Sequence, residues 1–155
     1  MDYAAEQLSA GFRAMTLLTG YIRRGGRPAA VAPTIPLRPG ERQYGWFPVI
    51  VDGERRVAVI TNRRLIAGEE YDLGRIERVR PVPGEWSVEL TVRDHGRLVL
   101  GGPWVPWLSV VICAELYGTA SPPAAIPMQR LIKSDRTPRK KLMATIDRPA
   151  RGLRR

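Results

Sequence analysis

Residues Val57–Ile66 constrain the fold of this chain more than any other stretch. An apolar run, Val57-Ala58-Val59-Ile60, meets Thr61-Asn62-Arg63-Arg64, and apolar sequence resumes at Leu65-Ile66. β-Branched residues favour a pleated, half-buried surface, and a polar break between two such runs marks a reversal of the chain. Asn62 suits the reversal because asparagine tolerates left-handed backbone and can bond its own backbone. The stretch predicts two antiparallel strands joined by a tight turn.

The same pattern recurs on either side. Gln43–Val51 is rich in aromatic and β-branched residues and ends at Asp52-Gly53, a strong hairpin signal. Arg55–Thr61 and Arg64–Ala67 follow, then Ile76–Val82, which Pro81 and Pro83 push toward a sheet edge. Trp86–Arg93 alternates, with Trp86, Val88, Leu90 and Val92 on one face. Asp94-His95-Gly96 reads as a turn before a last strand, Arg97–Gly101. Gly101-Gly102-Pro103 then leads into a helix over Trp104–Tyr117, with Pro106 in its first turn and Gly118 as its stop. Trp107, Leu108, Val111 and Ala114 mark one apolar stripe of this helix. Val105, Ile112 and Leu116 widen it, so the helix is expected to be buried.

Ahead of the strands, Asp2–Arg24 has helical periodicity, with Leu8, Phe12, Met15, Leu18 and Ile22 three or four residues apart. Asp2 is placed to cap it, and Gly25-Gly26 ends it. Gly11 and Gly20 each cost roughly 1 kcal/mol relative to alanine, so the helix needs a partner surface. Arg27–Gly40 holds Pro28, Pro33, Pro36 and Pro39, which predicts an extended connector.

Six or seven antiparallel strands followed by one buried helix, with Thr61-Asn62-Arg63-Arg64-Leu65, the Pro39-Gly40-Glu41 opening and Gly102-Pro103 ahead of the helix, resemble the PH-like superfamily. The resemblance is to the GRAM and bacterial PH-like types and covers about residues 37–118. It implies a mainly β fold, a PH-like barrel capped by its C-terminal helix. The whole chain then divides into an N-terminal amphipathic helix (1–26), a proline-rich connector (27–40), the PH-like domain (41–118) and a basic, largely disordered tail (119–155). PH-like domains often bind peptides along a sheet edge or beside the helix, and Ile76–Val82 is the candidate edge here. Members that read phosphoinositides carry a lysine and a K/R-x-R pair across the first hairpin. This hairpin has neither, offering Arg42, Arg55 and Arg56, with Arg63 and Arg64 in the turn motif as further headgroup candidates.

Charge is informative through its distribution. The net charge is +10, yet residues 41–120 hold 10 Lys/Arg against 11 acids, and residues 121–155 hold 10 against 2. The tail carries the cations that suit an anionic membrane surface or nucleic acid: Arg136, Arg139, Lys140, Lys141, Arg148, Arg151, Arg154 and Arg155. A solvated end that binds nothing is the plain reading of the same residues. Without aromatics the tail has nothing on which bases would stack.

No Ser/His/acid grouping or phosphate-binding loop is visible. Cys113 reads as a core residue, His95 as a turn residue, and Glu69, Glu70 and Asp72 as a solvated acidic loop. One cysteine and one histidine are too few for an ordinary zinc site. No run of apolar residues is long enough for a membrane span, and Glu6 sits where a secretory signal has positive charge. The reading is a non-catalytic, cytoplasmic adaptor needing no cofactor. Its expected partner is a protein or an anionic membrane surface, and the N-terminal helix is expected to pack on the domain or to pair with a copy of itself. The alternative is a nucleic-acid-associated protein acting through the tail. Salt separates the two. Tail-driven DNA binding is expected to fall roughly a thousandfold or more between about 50 and 200 mM salt and to vanish when residues 121–155 are deleted. DNA binding that survives the deletion refutes this role for the tail.

Overall fold

A computed structural model describes residues 2–82 and 84–123. Helix α1 spans Tyr3–Arg23. Strands β1 (Gln43–Val51), β2 (Glu54–Thr61), β3 (Arg64–Ala67), β4 (Glu69–Asp72), β5 (Ile76–Val82), β6 (Ser87–Val92) and β7 (Gly96–Gly101) follow, and α2 spans Val105–Tyr117. A 3-10 turn, Leu73–Arg75, joins β4 to β5, with the Asp72 carboxylate accepting from the Gly74 N–H. Asp2 holds the N-cap position of α1, but its side chain makes no capping hydrogen bond. The hairpin between β1 and β2 turns at Asp52 (φ 48°) and Gly53 (φ 87°), the paired left-handed residues that its sequence signals.

Two elements differ from their sequence reading. Glu69, Glu70 and Asp72 lie in a strand and not in a loop. β4 buries only Tyr71 and leaves its acids in water, so one apolar residue in four gives no alternation to read. Trp86 leaves the alternating row of β6. It sits in the turn before the strand with φ 50° and stacks edge-on against Phe12 of α1, ring centroids 6.2 Å apart.

All strand pairs are antiparallel, in the spatial order β4-β3-β2-β1-β7-β6-β5. β4 and β5 are the two edges, so the sheet is open and does not close into a barrel. Its halves, β1–β4 and β5–β7, are paired where Ile50 and Val51 face Gly101 and Leu100, with the Asp52 N–H reaching the Val99 carbonyl beyond them (3.4 Å). Inward side chains from both halves, among them Phe47, Ile60, Leu65, Leu90 and Leu100, share one core with Leu108, Val111 and Ile112 of α2.

α2 is buried around most of its circumference, from Leu108 through Ala114. One side meets the sheet. The other is covered by α1, whose Ile22 packs on Val110 and Ala114, flanked by Met15 and Leu18. The connector lies against the sheet through paired bonds between Thr34 and Gln43 and through the Val31 N–H to the Gln43 carbonyl (2.8 Å). Gly11 explains its own presence in a helix. A Cβ there would lie 2.3 Å from the Pro103 carbonyl oxygen, so the missing side chain sets how closely α1 approaches the turn that feeds α2. Gly11→Ala should therefore lose about 1–3 kcal/mol to overpacking instead of gaining about 1 kcal/mol of helix propensity, as read by urea unfolding.

Candidate functional site

The Thr61–Leu65 turn and the Pro39–Glu41 segment, separate in sequence, form one buried polar cluster. The Thr61 Oγ1 accepts from the backbone N–H groups of Arg63 (3.1 Å) and Arg64 (2.9 Å) and donates to Glu41 Oε1 (2.8 Å). The Arg64 guanidinium bonds both carboxylate oxygens of Glu41 (2.7 and 3.0 Å), Glu70 Oε2 (2.9 Å) and the Pro36 carbonyl (2.9 Å). Asn62 has no left-handed backbone. Its side chain instead reaches across to the Arg42 N–H (2.8 Å) and the Gly40 carbonyl (3.3 Å). The hydroxyl of Thr61 organises the turn, and Asn62 fastens it to the strand opening.

The Glu41 side chain is fully shielded and that of Arg64 is 10% exposed. Burial alone would push the Glu41 carboxyl up. Bonds from Arg64, the Arg38 N–H and Thr61 outweigh it and hold the pKa at about 2. The hydrogen bonds to Glu41 likewise outweigh burial at Arg64 and raise its pKa. The guanidinium is committed to Glu41, the Pro36 carbonyl and Glu70, with only the Glu70 bond at the wet rim, so it secures the fold.

The other arginines of the candidate headgroup set do not converge. Arg55 and Arg56 are exposed at the hairpin end of β2, where Arg56 pairs with Glu54. Arg42, just before β1, and Arg63, in the β2–β3 turn, are exposed at the far end of the hairpin. Seven residues at the rise of a β-strand separate Arg56 from Arg63 by about 23 Å. The tail candidates Arg136, Arg139, Lys140, Lys141, Arg148, Arg151, Arg154 and Arg155 lie outside the described residues.

Cys113 is fully buried on α2, and burial pushes its thiol up to about 11 despite a hydrogen bond with Ser109. Such a thiol is not a nucleophile near neutral pH. His95 is exposed in the β6–β7 turn, edge-on to Tyr71, with Nδ1 3.8 Å from Glu69 Oε2. Among the described residues no group of three or more His, Cys, Asp or Glu is placed to hold a metal ion, and no helix is long and apolar enough to cross a membrane.

Two apolar hollows are assembled from residues far apart in sequence. A groove of about 490 Å³ opens between α1, α2 and the β5–β6 turn, lined in part by Phe12, Met15, Val82, Trp86, Pro106 and Val110. A more open hollow of about 360 Å³ is walled by Tyr44, Trp46, Phe47, Trp104 and Trp107. Gly45 makes room for it, since a Cβ there would meet the Trp107 ring at 2.8 Å. A glycine inside a strand was the one sequence signal of this close approach. The Tyr44 hydroxyl donates to Glu115 of α2 (2.5 Å), and burial with that carboxylate raises it to about 12. These walls are mostly apolar and suit apolar side chains.

No protein-family profile matches the chain, and a search of curated proteins finds no similar sequence.

Arg64→Met should cost about 3–5 kcal/mol of unfolding free energy, because it strands the Glu41 carboxylate in a dry site. Glu70→Gln, at the wet end of the cluster, should cost less than about 1 kcal/mol. Because the folded pKa of Glu41 lies below its ordinary 4.5, its contribution is present above that pH and is lost as pH falls toward about 2. Urea midpoints across that window test this. A Glu41→Gln protein with the same acid profile as the parent would show that the carboxylate is not the group responsible.

Proposed function

We propose that this chain is a non-catalytic interaction module of the PH-like type, which captures an extended segment of a partner protein along β5. The observation that carries this reading is an edge strand with an apolar groove opening beside it. β5 pairs only with β6 among the described residues, so one row of its backbone N–H and C=O groups is free for strand addition. Pro81 removes one donor from the strand and limits self-pairing of this edge. Next to it, the groove that includes Val82, Trp86 and Val110 accepts apolar side chains of the bound segment.

Charge selects the kind of segment. Arg78 and Arg80 of β5 are exposed and make no ion pair among the described residues, whereas Arg75, Arg93 and Arg97 nearby are each paired. An acidic strand with apolar residues at alternate positions complements that edge. Support for the PH-like reading comes from the order of seven antiparallel strands before one buried helix, and from the union of its two motif segments in the Glu41–Arg64 cluster. The dispersed arginines of the β1–β2 hairpin and turn do not favour a headgroup pocket.

Panning the full-length protein against a phage-displayed random peptide library tests the proposal. Enriched peptides should alternate apolar residues with Asp or Glu and shift the amide resonances of Ile76–Val82 and the indole of Trp86. Arg78→Glu with Arg80→Glu should weaken them at least tenfold, about 1.4 kcal/mol. Peptides that shift other faces, or that ignore the charge reversal, would sink the assignment.

A further inference from the structure

α1 has a second apolar face that its packing against α2 does not use. Gly11, Met15, Leu18 and Ile22 turn toward α2 and its approach turn. Tyr3, Gln7, Ala10, Ala14, Leu17 and Tyr21 lie on a different side of the helix, alternating steps of four and three residues. That spacing keeps six side chains in one seam along the helix, as in a coiled coil. Tyr3 is 72% exposed, Leu17 75% and Tyr21 50%, the last with one side of its ring against Gly26, while Gln7, Ala10 and Ala14 are half-buried.

The seam is close to a palindrome. Read from either end it runs tyrosine, a larger residue, alanine, alanine, a larger residue, tyrosine. Set antiparallel to a copy of itself, Tyr3 faces Tyr21 of the partner subunit, Gln7 faces Leu17 of the partner subunit, and Ala10 faces Ala14 of the partner subunit. A two-fold interface requires this reciprocity, in which residue i meets j and j meets i. Alanines at the centre let the two helix axes approach to about 8 Å, the short end of ordinary helix packing.

Charge fixes the orientation. Glu6 flanks the seam toward its N-terminal end, and Arg24 flanks it on the same side at its C-terminal end. Parallel copies would stack like charges and align their helix dipoles. Antiparallel copies set each acidic end beside a basic one and oppose the dipoles. We infer that this face of α1 is a self-association site, forming an antiparallel helix pair between two copies of the chain.

The contact is about 32 Å long and one helix wide, which falls below the area of a standard stable interface. The dimer is therefore weak and exchanging, with a dissociation constant of roughly 10–100 μM. The inference does not depend on the β5 edge, which belongs to another surface.

Sedimentation equilibrium on the full-length protein reads the association directly. The parent chain should move from monomer to dimer across that range. Leu17→Glu, at an exposed position that leaves the thermal midpoint unchanged, should raise the dissociation constant at least tenfold. Orientation is read by cysteine crosslinking with copper phenanthroline, to which the buried Cys113 is indifferent. A mixture of Tyr3→Cys and Tyr21→Cys chains should crosslink, while Tyr3→Cys alone should not, since its two copies would sit about 27 Å apart. A monomer throughout, a dimer indifferent to Leu17→Glu, or homodimeric crosslinking of Tyr3→Cys would each overturn the inference.

Discussion

The buried bond between Glu41 and Arg64 is the interaction on which the rest of the structure depends. It closes a loop of more than twenty residues and ties the end of the connector, at Pro36, to two segments that the sheet already pairs through Gln43 and Thr61. These are the opening of β1 and the β2–β3 turn. Two opposite charges taken out of water are worth having only where their remaining donors and acceptors are also satisfied. Here Thr61, the Arg38 N–H and Glu70 complete the set, and among the described residues no buried side-chain polar atom is left without a partner. The cluster then fixes the register of β1 against β2. A slip there would turn Ile60 and Leu65 out of the core.

Sequence periodicity made most of this architecture readable. Strands such as β6, where Val88, Leu90 and Val92 alternate with polar residues, declare themselves because one face is wet and the other dry. β2 is harder, since Ala58 through Thr61 are buried on both faces, and its β-branched composition identifies it instead. β4 had too little apolar content to register. The turn at Asn62 is legible only in part, since its side chain does bond backbone but across to Arg42 and Gly40. Asparagine suggested unusual backbone, whereas the structure uses its amide as a clamp and gives the turn to a threonine hydroxyl.

The interaction surfaces were less legible because they are assembled across long sequence distances. Phe12 and Trp86 meet only after α1 folds back over α2, and Tyr44, Trp46, Trp104 and Trp107 come together from β1 and the start of α2. Local pattern carries no record of such meetings. What the sequence did hold was their residue currency: exposed aromatics in a domain whose charges balance, and a proline in an edge strand. Arg64 is the reverse case. An arginine in the turn of a basic chain is a candidate for binding an anion, and here its neighbours consume its donors.

The covering of α2 by α1 has a consequence for where this protein can be divided. The strand pattern suggests a self-contained unit beginning near Glu41. A chain cut there would lose Ile22, Met15 and Leu18 from over Val110 and Ala114, along with the Thr34 clasp on Gln43 and the Pro36 carbonyl that receives Arg64. The most apolar helix in the molecule would then show water one whole side. A unit that keeps α2 covered thus includes α1 from Gly11 onward, and this helix is as much a part of the domain as any strand.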